Sequence, residues 1–271
     1  MKNEKEKVQY TDIEGKSVII TGSTSGIGLA IAEDFARHGA RVMVNGLGDP
    51  TEIERTRAHL ADTTGAEVLY DAADMTRPDQ IARMIARAED TWGGVDILVN
   101  NAGIQYVSPV EEFPAEKWDA ILAINLSSVF HTIHAALPGM KARNAGRIIN
   151  ISSVHGLVAS PFKSAYVAAK HGVMGLTKTV ALEVAETNIT VNAICPGYVR
   201  TPLVEGQIDE QAKAHNMPRD QVIRDVILAS QPNKRFTETS EIAAMALFLC
   251  SAHGRSINGA ALTMDGGWVA R

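Results

Sequence analysis

The sequence predicts an α/β fold, a doubly wound parallel sheet of about seven strands with helices on both faces and a small helical lid. Three observations carry that prediction. Short β-branched apolar runs recur along the chain, and helix-prone stretches separate them. The runs are apolar throughout, as strands buried on both faces of a sheet must be. A glycine-rich turn, Gly22 to Gly28, joins the first run to the first helix. No linker, repeat or low-complexity segment divides the 271 residues. The expectation is therefore one domain over 1–271, with a polar arm over 1–13 and a substrate cover over about 202–235.

The first strand is Lys16 to Thr21, KSVIIT. It runs into Gly22, Ser23, Thr24, Ser25, Gly26, Ile27 and Gly28, then into an amphipathic helix ending at Gly39. Strand, glycine turn and helix start together make an anion site, because backbone N–H groups and the positive end of the helix dipole face one spot. Glycine lets the backbone approach a pyrophosphate that a side chain would hold off. The second strand, Arg41 to Asn45, leads into Gly46, Leu47, Gly48 and Asp49. Many dinucleotide folds end this strand with an acid for the adenosine ribose, and here Asp49 comes a few residues late. No Arg or Lys lies in this turn or in the glycine loop to pair with a 2′-phosphate, so NAD is expected over NADP.

A helix over Pro50 to Thr64 and a strand over Glu67 to Asp71 follow. Asp74, just beyond, is placed either to hold an adenine amino group or to cap the next helix, Pro78 to Thr91. The fourth strand, Val95 to Val99, ends in Asn100, Asn101, Ala102 and Gly103, small residues across which a cofactor can lie. Gln105 stands at the lip of that site. A helical region from Pro114 to Lys141 contains Asn125, a poor helix-interior residue that marks a break or a side-chain network. The fifth strand, Arg147 to Ile151, delivers Ser152 and Ser153. On the next helix Tyr166 and Lys170 are four residues apart, hence on one face. An ammonium beside a phenol favours the phenolate, lowering its pKa from about 10 towards the range where a general base works best. Ser153 is placed to hold a substrate oxygen beside that phenol. The sixth strand, Ile189 to Ile194, ends in Cys195, Pro196, Gly197, Tyr198, Val199, Arg200 and Thr201. Residues 202–235 are polar and helix-prone with few core signals, as a movable cover would be. A helix over Glu238 to Ser251 and a strand over Ala260 to Met264 lead to Asp265, Gly266, Gly267 and Trp268. Every one of these motifs lies at or just after a strand's carboxyl end, where open α/β sheets bind ligands.

The net charge of -5 argues against a nucleic-acid or anionic-membrane surface. No apolar run reads as long enough to span a bilayer, and the N-terminus lacks the apolar core of a signal peptide. Cys195 and Cys250 lack a CxxC or a nearby His, so buried thiols in a cytoplasmic protein are expected, with no metal site.

Read together, TGSTSGIG (21–28), NNAG (100–103), Asn125 in AINLSS, Ser153, YVAAK (166–170) and PGYVRT (196–201) resemble the short-chain dehydrogenase/reductase family over about residues 14–271. The resemblance implies a Rossmann-type fold and a catalytic set of Asn125, Ser153, Tyr166 and Lys170. It implies cofactor contacts from Gly22 through Gly28 and at Asp74, Met75, Asn101, Ala102 and Gly103. Further cofactor contacts are implied at Tyr166, Lys170, Pro196, Gly197, Val199 and Thr201.

Within that family, Gln105 in NAGIQYV, His155 in SSVHG, Lys163 in PFKSAY, Gln207 in TPLVEGQI and Trp268 in DGGW resemble bacterial D-3-hydroxybutyrate dehydrogenases. That likeness implies that the first four hold a substrate carboxylate, His155 and Lys163 by positive charge and the glutamines by hydrogen bonds. Taken singly, Lys163 also reads as a solvated helix-start residue, Gln207 as surface and His155 as a loop histidine. Tyr198 stands where a Trp is expected beside the substrate methyl group, and Leu47 where a Phe is expected near the adenosine. The implied reaction is reversible NAD-dependent oxidation of (R)-3-hydroxybutyrate to acetoacetate, without a metal, in a homotetramer. In it Tyr166 moves the hydroxyl proton, Ser153 stabilises the oxygen, Lys170 supports Tyr166 and the nicotinamide ribose, and Asn125 positions a water. The alternatives are another short-chain reductase, such as a 3-oxoacyl-thioester reductase, or a catalytically silent binding protein on the same fold.

Overall fold

Seven parallel strands form one sheet in the order β3-β2-β1-β4-β5-β6-β7. They are β1 (Ser17–Ile20), β2 (Arg41–Asn45), β3 (Val68–Asp71), β4 (Ile97–Asn100), β5 (Gly146–Ile151), β6 (Ile189–Pro196) and β7 (Ala261–Met264). The computed structural model of the chain describes residues 10–201, 204–206, 208–209, 212 and 216–270. Val18 in β1 pairs with Val42 on one side and Ile97 on the other, so β1 lies inside the sheet. The chain first builds outward from β1 to β3, then returns to β4 on the other side of β1. That reversal leaves a crevice at the carboxyl ends of β1 and β4.

Alternation along each strand feeds two cores. Val18, Ile20, Val42, Val44 and Val99 pack against α1 (Gly26–Arg37), α2 (Pro50–Thr64) and α8 (Thr239–Cys250). Ile19, Met43, Leu98, Ile148 and Val191 point the other way, against α3 (Pro78–Trp92), α5 (Ser128–Arg143) and α6 (Ser164–Glu183). Helix ends follow local chemistry. The Asp49 carboxylate accepts the N–H groups of Thr51 and Glu52 at 2.9 and 3.0 Å, Pro50 opens α2, and Gly65 closes it at φ 72°.

Four expectations need correction. The arm is not free over its last residues: Thr11–Ile13 form a 3₁₀ turn, Ile13 is fully buried, and Asp12 accepts the Ala252 N–H. Residues 1–9 lie outside the described residues. Second, the helical stretch Ala115–Arg143 is long and apolar enough to cross a membrane, holding an 18-residue window of mean hydropathy 1.5. In the fold it is a layer of the second core, where Val129, Ile133, Ala136 and Met140 are buried, and it is interrupted by a π turn at Ala123–Ser127. Its apolar character is diluted in sequence by Asn125, His131 and His134. Third, the stretch read as a cover with few core signals holds a core of its own. Ile208, Val222, Ile227, Leu228 and Phe236 are buried together, with Val204, Met217 and Tyr198 packed on them. Part of it is α7 (Arg219–Val222), which runs into a second π turn at Ile223–Ile227. Fourth, β4 begins at Ile97, because the Asp96 carboxylate turns back to accept the Ser17 N–H at 3.0 Å and its hydroxyl at 3.1 Å.

The sheet centre is not wholly apolar. Thr132 donates to Asn100 Oδ1 at 2.6 Å, Asn100 Nδ2 to Asn150 Oδ1 at 2.9 Å, and Asn150 Nδ2 to the Thr177 hydroxyl at 2.8 Å. This buried chain ties α5, β4, β5 and α6 together. Asn150→Ala leaves Asn100 Nδ2 without its acceptor, and an orphaned buried donor costs about 1–3 kcal/mol before any cavity is counted. Urea denaturation of the variant should therefore show a clear drop in the midpoint, and an unchanged midpoint would remove the network from the forces that hold the sheet.

Candidate active site

A cleft of about 570 Å³ opens outside the carboxyl ends of β1, β4, β5 and β6. Its floor at one end is the glycine turn. Gly22 sits at φ 61°, and a methyl built on it would stand 2.8 Å from Ala102 Cα, so only glycine lets these two turns touch. Thr24, Ser25, Gly26 and Ile27 face the cleft. Ser25 makes no side-chain cap on α1, and no acid lies in the first turn. The positive helix end therefore opens onto the cleft, which fits a pyrophosphate. Ser23 and Gly28, although part of the motif, face inward. The Ser23 hydroxyl donates to Ile20 O at 2.7 Å, and a methyl on Gly28 would stand 2.5 Å from Asn101 Nδ2.

The lock on this loop is a residue that the sequence reading passed over as a ligand. Asn45 is buried; its Oδ1 accepts the Gly22 N–H at 3.2 Å, and its Nδ2 donates to Asp71 O and Ala73 O at 3.1 and 2.9 Å. The only sequence signal was a polar residue ending a buried strand. Asp49 is engaged as the cap of α2. Asp74 and Met75 line the cleft beside Leu47. The Asp74 carboxylate accepts from Thr76 N–H and hydroxyl at 2.8 Å each, while Arg77 occupies the N-cap of α3, so the capping alternative is not taken. Asn101 supports the glycine loop from below, donating to Thr21 O and Gly22 O, while Ala102, Gly103 and Gln105 face the cleft.

At the other end Ser153, Tyr166 and Lys170 line the same cleft with Pro196, Gly197, Val199 and Thr201. Lys170 Nζ donates to Ile151 O at 2.8 Å and lies 5.6 Å from the centre of the Tyr166 ring. Burial lowers the Lys170 pKa to about 8. The expected depression of Tyr166 by Lys170 is not what the structure shows. Burial raises the Tyr166 phenol, and the Ser153 hydroxyl pulls it partly back. The reason is geometric: the ammonium is directed at a backbone carbonyl rather than at the phenol oxygen. Asn125 sits in the π turn between α4 (Ala115–Leu122) and α5, its side chain engaged by both backbone groups of Ile104 at 2.8 and 2.9 Å. Break and side-chain network, the two readings of this residue, are both present. Rare π turns of this kind recur at functional sites.

Beyond Tyr166 stands an aromatic wall. Tyr198 and Trp268 stack at 5.8 Å, Lys163 Nζ lies 5.8 Å over the Tyr198 ring, and His155 meets Trp268 edge-on at 5.5 Å. Gln231 holds Tyr198 by accepting its N–H at 3.0 Å, and Asp265 holds the Trp268 turn through Gly267 and Val269. Neither support was legible in sequence. Among the described residues no carboxylate pairs with Lys163, and burial lowers its pKa. His155 does not supply the positive charge expected of it. Burial and the nearby Lys163 bring its pKa down to about 4, so it is neutral at pH 7. Gln207 lies outside the described residues. Among the described residues no three His, Cys, Asp or Glu side chains gather as a metal site, and Cys195 and Cys250 are free and buried. A second hollow of about 270 Å³, beside Leu29 and His59, holds none of the residues singled out above.

Residues 16–212 match the family model described as short chain dehydrogenase. The chain is 57% identical over 256 residues to a D-beta-hydroxybutyrate dehydrogenase of Rhizobium meliloti (strain 1021), covering 94% of this chain and 99% of the relative. It is 52% identical over 260 residues to a D-beta-hydroxybutyrate dehydrogenase of Cupriavidus necator, covering 96% and 100%. Among solved structures, L-sorbose reductase from Gluconobacter frateurii, complexed with NADPH and L-sorbose, superposes with a TM-score of 0.91 at 32% identity, covering 97% of this chain and 99% of the other. The chain belongs to the short-chain dehydrogenase family, oxidoreductases that work with a nicotinamide dinucleotide.

Proposed function

We propose that the chain oxidises (R)-3-hydroxybutyrate to acetoacetate with NAD, and catalyses the reverse reduction. The observation that carries this reading is Lys163, a part-buried cation without a carboxylate partner among the described residues, set over Tyr198, which stacks on Trp268, which in turn meets His155. A small carboxylate completes that arrangement, because a part-buried ammonium is stabilised by a charge-assisted hydrogen bond. Gln105 lines the cleft with Ser153 and Tyr166, and Gln207 is assigned to the carboxylate on sequence alone. The two relatives named as D-beta-hydroxybutyrate dehydrogenases support the substrate.

The substrate hydroxyl is placed between Ser153 and Tyr166. Tyr166 takes the hydroxyl proton, and Ser153 stabilises the charge that develops on the oxygen. When bound, the nicotinamide accepts the hydride that leaves the carbinol carbon. Lys170 holds one buried positive charge below the phenol and carries the proton onward. The absence of any Arg or Lys from 45–49 and from 22–28 supports NAD, since a 2′-phosphate would have no cation there. A cytoplasmic setting is part of this proposal, and two buried free thiols support it.

Initial rates with each enantiomer of 3-hydroxybutyrate, run with NAD and then NADP, test the reading. Turnover is expected with the R form and NAD. Lys163→Met should raise KM for the hydroxy acid roughly tenfold or more and leave KM for NAD in place, the loss expected of one charge-assisted contact. Turnover of acyl thioesters with NADPH instead would assign the chain to the other short-chain reductases.

The Tyr166–Lys170 pair sets the pH dependence. Lys170 is lowered to about 8 and Tyr166 is raised, so the pair loses its first proton near pH 8, whichever atom it leaves. Oxidation needs the pair with that proton gone, and reduction needs it present. The oxidation rate should therefore rise with pH through about 8 and the reduction rate fall. Tyr166→Phe should abolish turnover at every pH while cofactor still binds by fluorescence titration; residual pH-dependent turnover would remove Tyr166 from the proton's path.

We further propose a homotetramer, supported by Phe130 on α5 and Leu182 on α6, which are 49% and 78% exposed. Light scattering should return four times the 29.1 kDa of one chain, and a 29.1 kDa particle would end that proposal.

A further inference from the structure

We propose that Gln231 is a positioning residue that holds the Tyr198 ring in its stack on Trp268 and so limits the length of 3-hydroxy acid that the site accepts. The proposal deepens the reading above and rests on it, because it takes Lys163 as the partner of the carboxylate.

Under that reading the carboxylate lies at Lys163, whose Nζ is 5.8 Å over the Tyr198 ring, and the reacting oxygen lies at Tyr166. The stacked rings of Tyr198 and Trp268 are then the apolar surface along the carbon chain. A carbon added to the free end of the acid meets that stack. One methylene in an apolar pocket is worth about 10- to 200-fold in selectivity. A wall that yields forfeits that discrimination, so what holds the wall decides the length admitted.

Gln231 is 0% exposed, and backbone groups take both ends of its amide. Oε1 accepts the Tyr198 N–H at 3.0 Å, and Nε2 donates to the Arg235 carbonyl. A backbone N–H can only donate and a carbonyl can only accept, so the direction of the amide is fixed. The Thr237 N–H donates to the Tyr198 carbonyl at 3.0 Å, which holds the other side of the same residue. Gly197 cannot retreat: a methyl there would stand 2.5 Å from Gln231 Oε1 and 3.1 Å from Asp265 Cα.

The same short segment reaches the turn of the second ring. The Asn233 N–H donates to the Gly266 carbonyl at 3.2 Å, two residues before Trp268. Gly266 is at φ 59°, and a methyl on it would run into the Asn233 side chain. Residues 231–233 are thus a spacer between the turn that carries Tyr198 and the turn that carries Trp268. The spacer is itself anchored. The Gln231 N–H donates to Leu228 O at 3.1 Å, and Leu228 is buried with Phe236 in the small core on which Tyr198 packs. Removing Oε1 leaves the Tyr198 N–H without its acceptor, and the turn can regain one only by shifting towards water, which takes the ring with it.

Initial rates with NAD, measured for (R)-3-hydroxybutyrate and (R)-3-hydroxypentanoate, test the proposal. The wild type should favour the shorter acid in kcat/KM by about tenfold or more, and Gln231→Met should bring the two acids within about threefold of each other. The change should fall in KM for the acids and leave KM for NAD in place, a split that general destabilisation would not produce. Tyr198→Ala should lose the preference by itself, and Gln231→Met added to it should change the ratio no further, because the glutamine acts through that ring. Gln231→Glu keeps an oxygen for the Tyr198 N–H in either protonation state and should keep the wild-type ratio. A wild type without preference, an unchanged ratio in Gln231→Met or a further change in the double variant would each overturn the proposal. A lost preference in Gln231→Glu would do so even where Gln231→Met does not fold. Turnover of neither acid by the wild type would defeat the substrate reading and the length limit together, whereas turnover with an unmoved ratio defeats the role of Gln231 alone.

Discussion

Parallel strands cannot be joined by hairpins, so each strand here is followed by a crossover on one face before the next can pair. All strand-to-crossover turns consequently fall along one edge of the sheet. Ile20, Asn100, Ile151 and Pro196 each end a strand on that edge, and the cleft lies directly outside it. The reversal at β1 and β4 opens the edge, because the first helices leave on opposite sides of that point. The glycine turn, the Asn101–Gly103 turn, Ser153 and the Pro196–Thr201 turn are brought together by this constraint, although they come from four separate parts of the chain.

That edge would splay if its turns were held by backbone pairing alone, because the ladder stops there. Amide side chains take over. Asn45 joins the glycine loop to β3, Asn101 supports the same loop from β4, and Asn100 with Asn150 links the two strands that end beside Ser153. Each amide carries both donors and an acceptor, so it bridges two turns where a hydroxyl would reach one. In a low-dielectric interior such bridges are stiff when fully satisfied. The loops therefore reach the cleft as fixed surfaces, which is what catalysis by positioning needs.

These amides also mark where reading the sequence stopped short. The seven strands, their order of appearance and the carboxyl-end clustering follow from periodicity and glycine placement, since both are local. Tyr166 and Lys170 were legible because a four-residue spacing fixes a shared helix face. Asn125 was legible as a break for the same local reason. Whether a buried Asn is a ligand or a strut depends on which strand lies next to it, and no local pattern carries that. The direction of Lys170 towards Ile151 O, and the neutral state of His155, depend on burial by segments distant in sequence. The core of the 202–235 stretch was missed because Ile208, Val222, Leu228 and Phe236 follow no helical or strand period over their whole span. They converge only once the chain has turned back on Tyr198.

Charge in the cleft is distributed by the same burial. The pyrophosphate end offers a helix terminus and backbone N–H groups but no cationic side chain. Lys170 lines the other end, and Lys163 stands beyond it over the Tyr198 ring; both have their pKa lowered by desolvation. A third positive charge on His155 would crowd them, and Lys163 is one of the causes that keep the imidazole neutral. Neutral His155 can then accept and donate one proton each way, while the two lysines keep distinct tasks at opposite sides of Tyr166. One stands over Tyr198 at the aromatic wall and the other reaches Ile151 behind the phenol. An anion entering between them meets Lys163 first, since Lys170 is 4% exposed and already held by a carbonyl. The order of burial, more than the number of charges, therefore separates the two lysines: under the proposed function the carboxylate falls to Lys163 and the proton to Lys170.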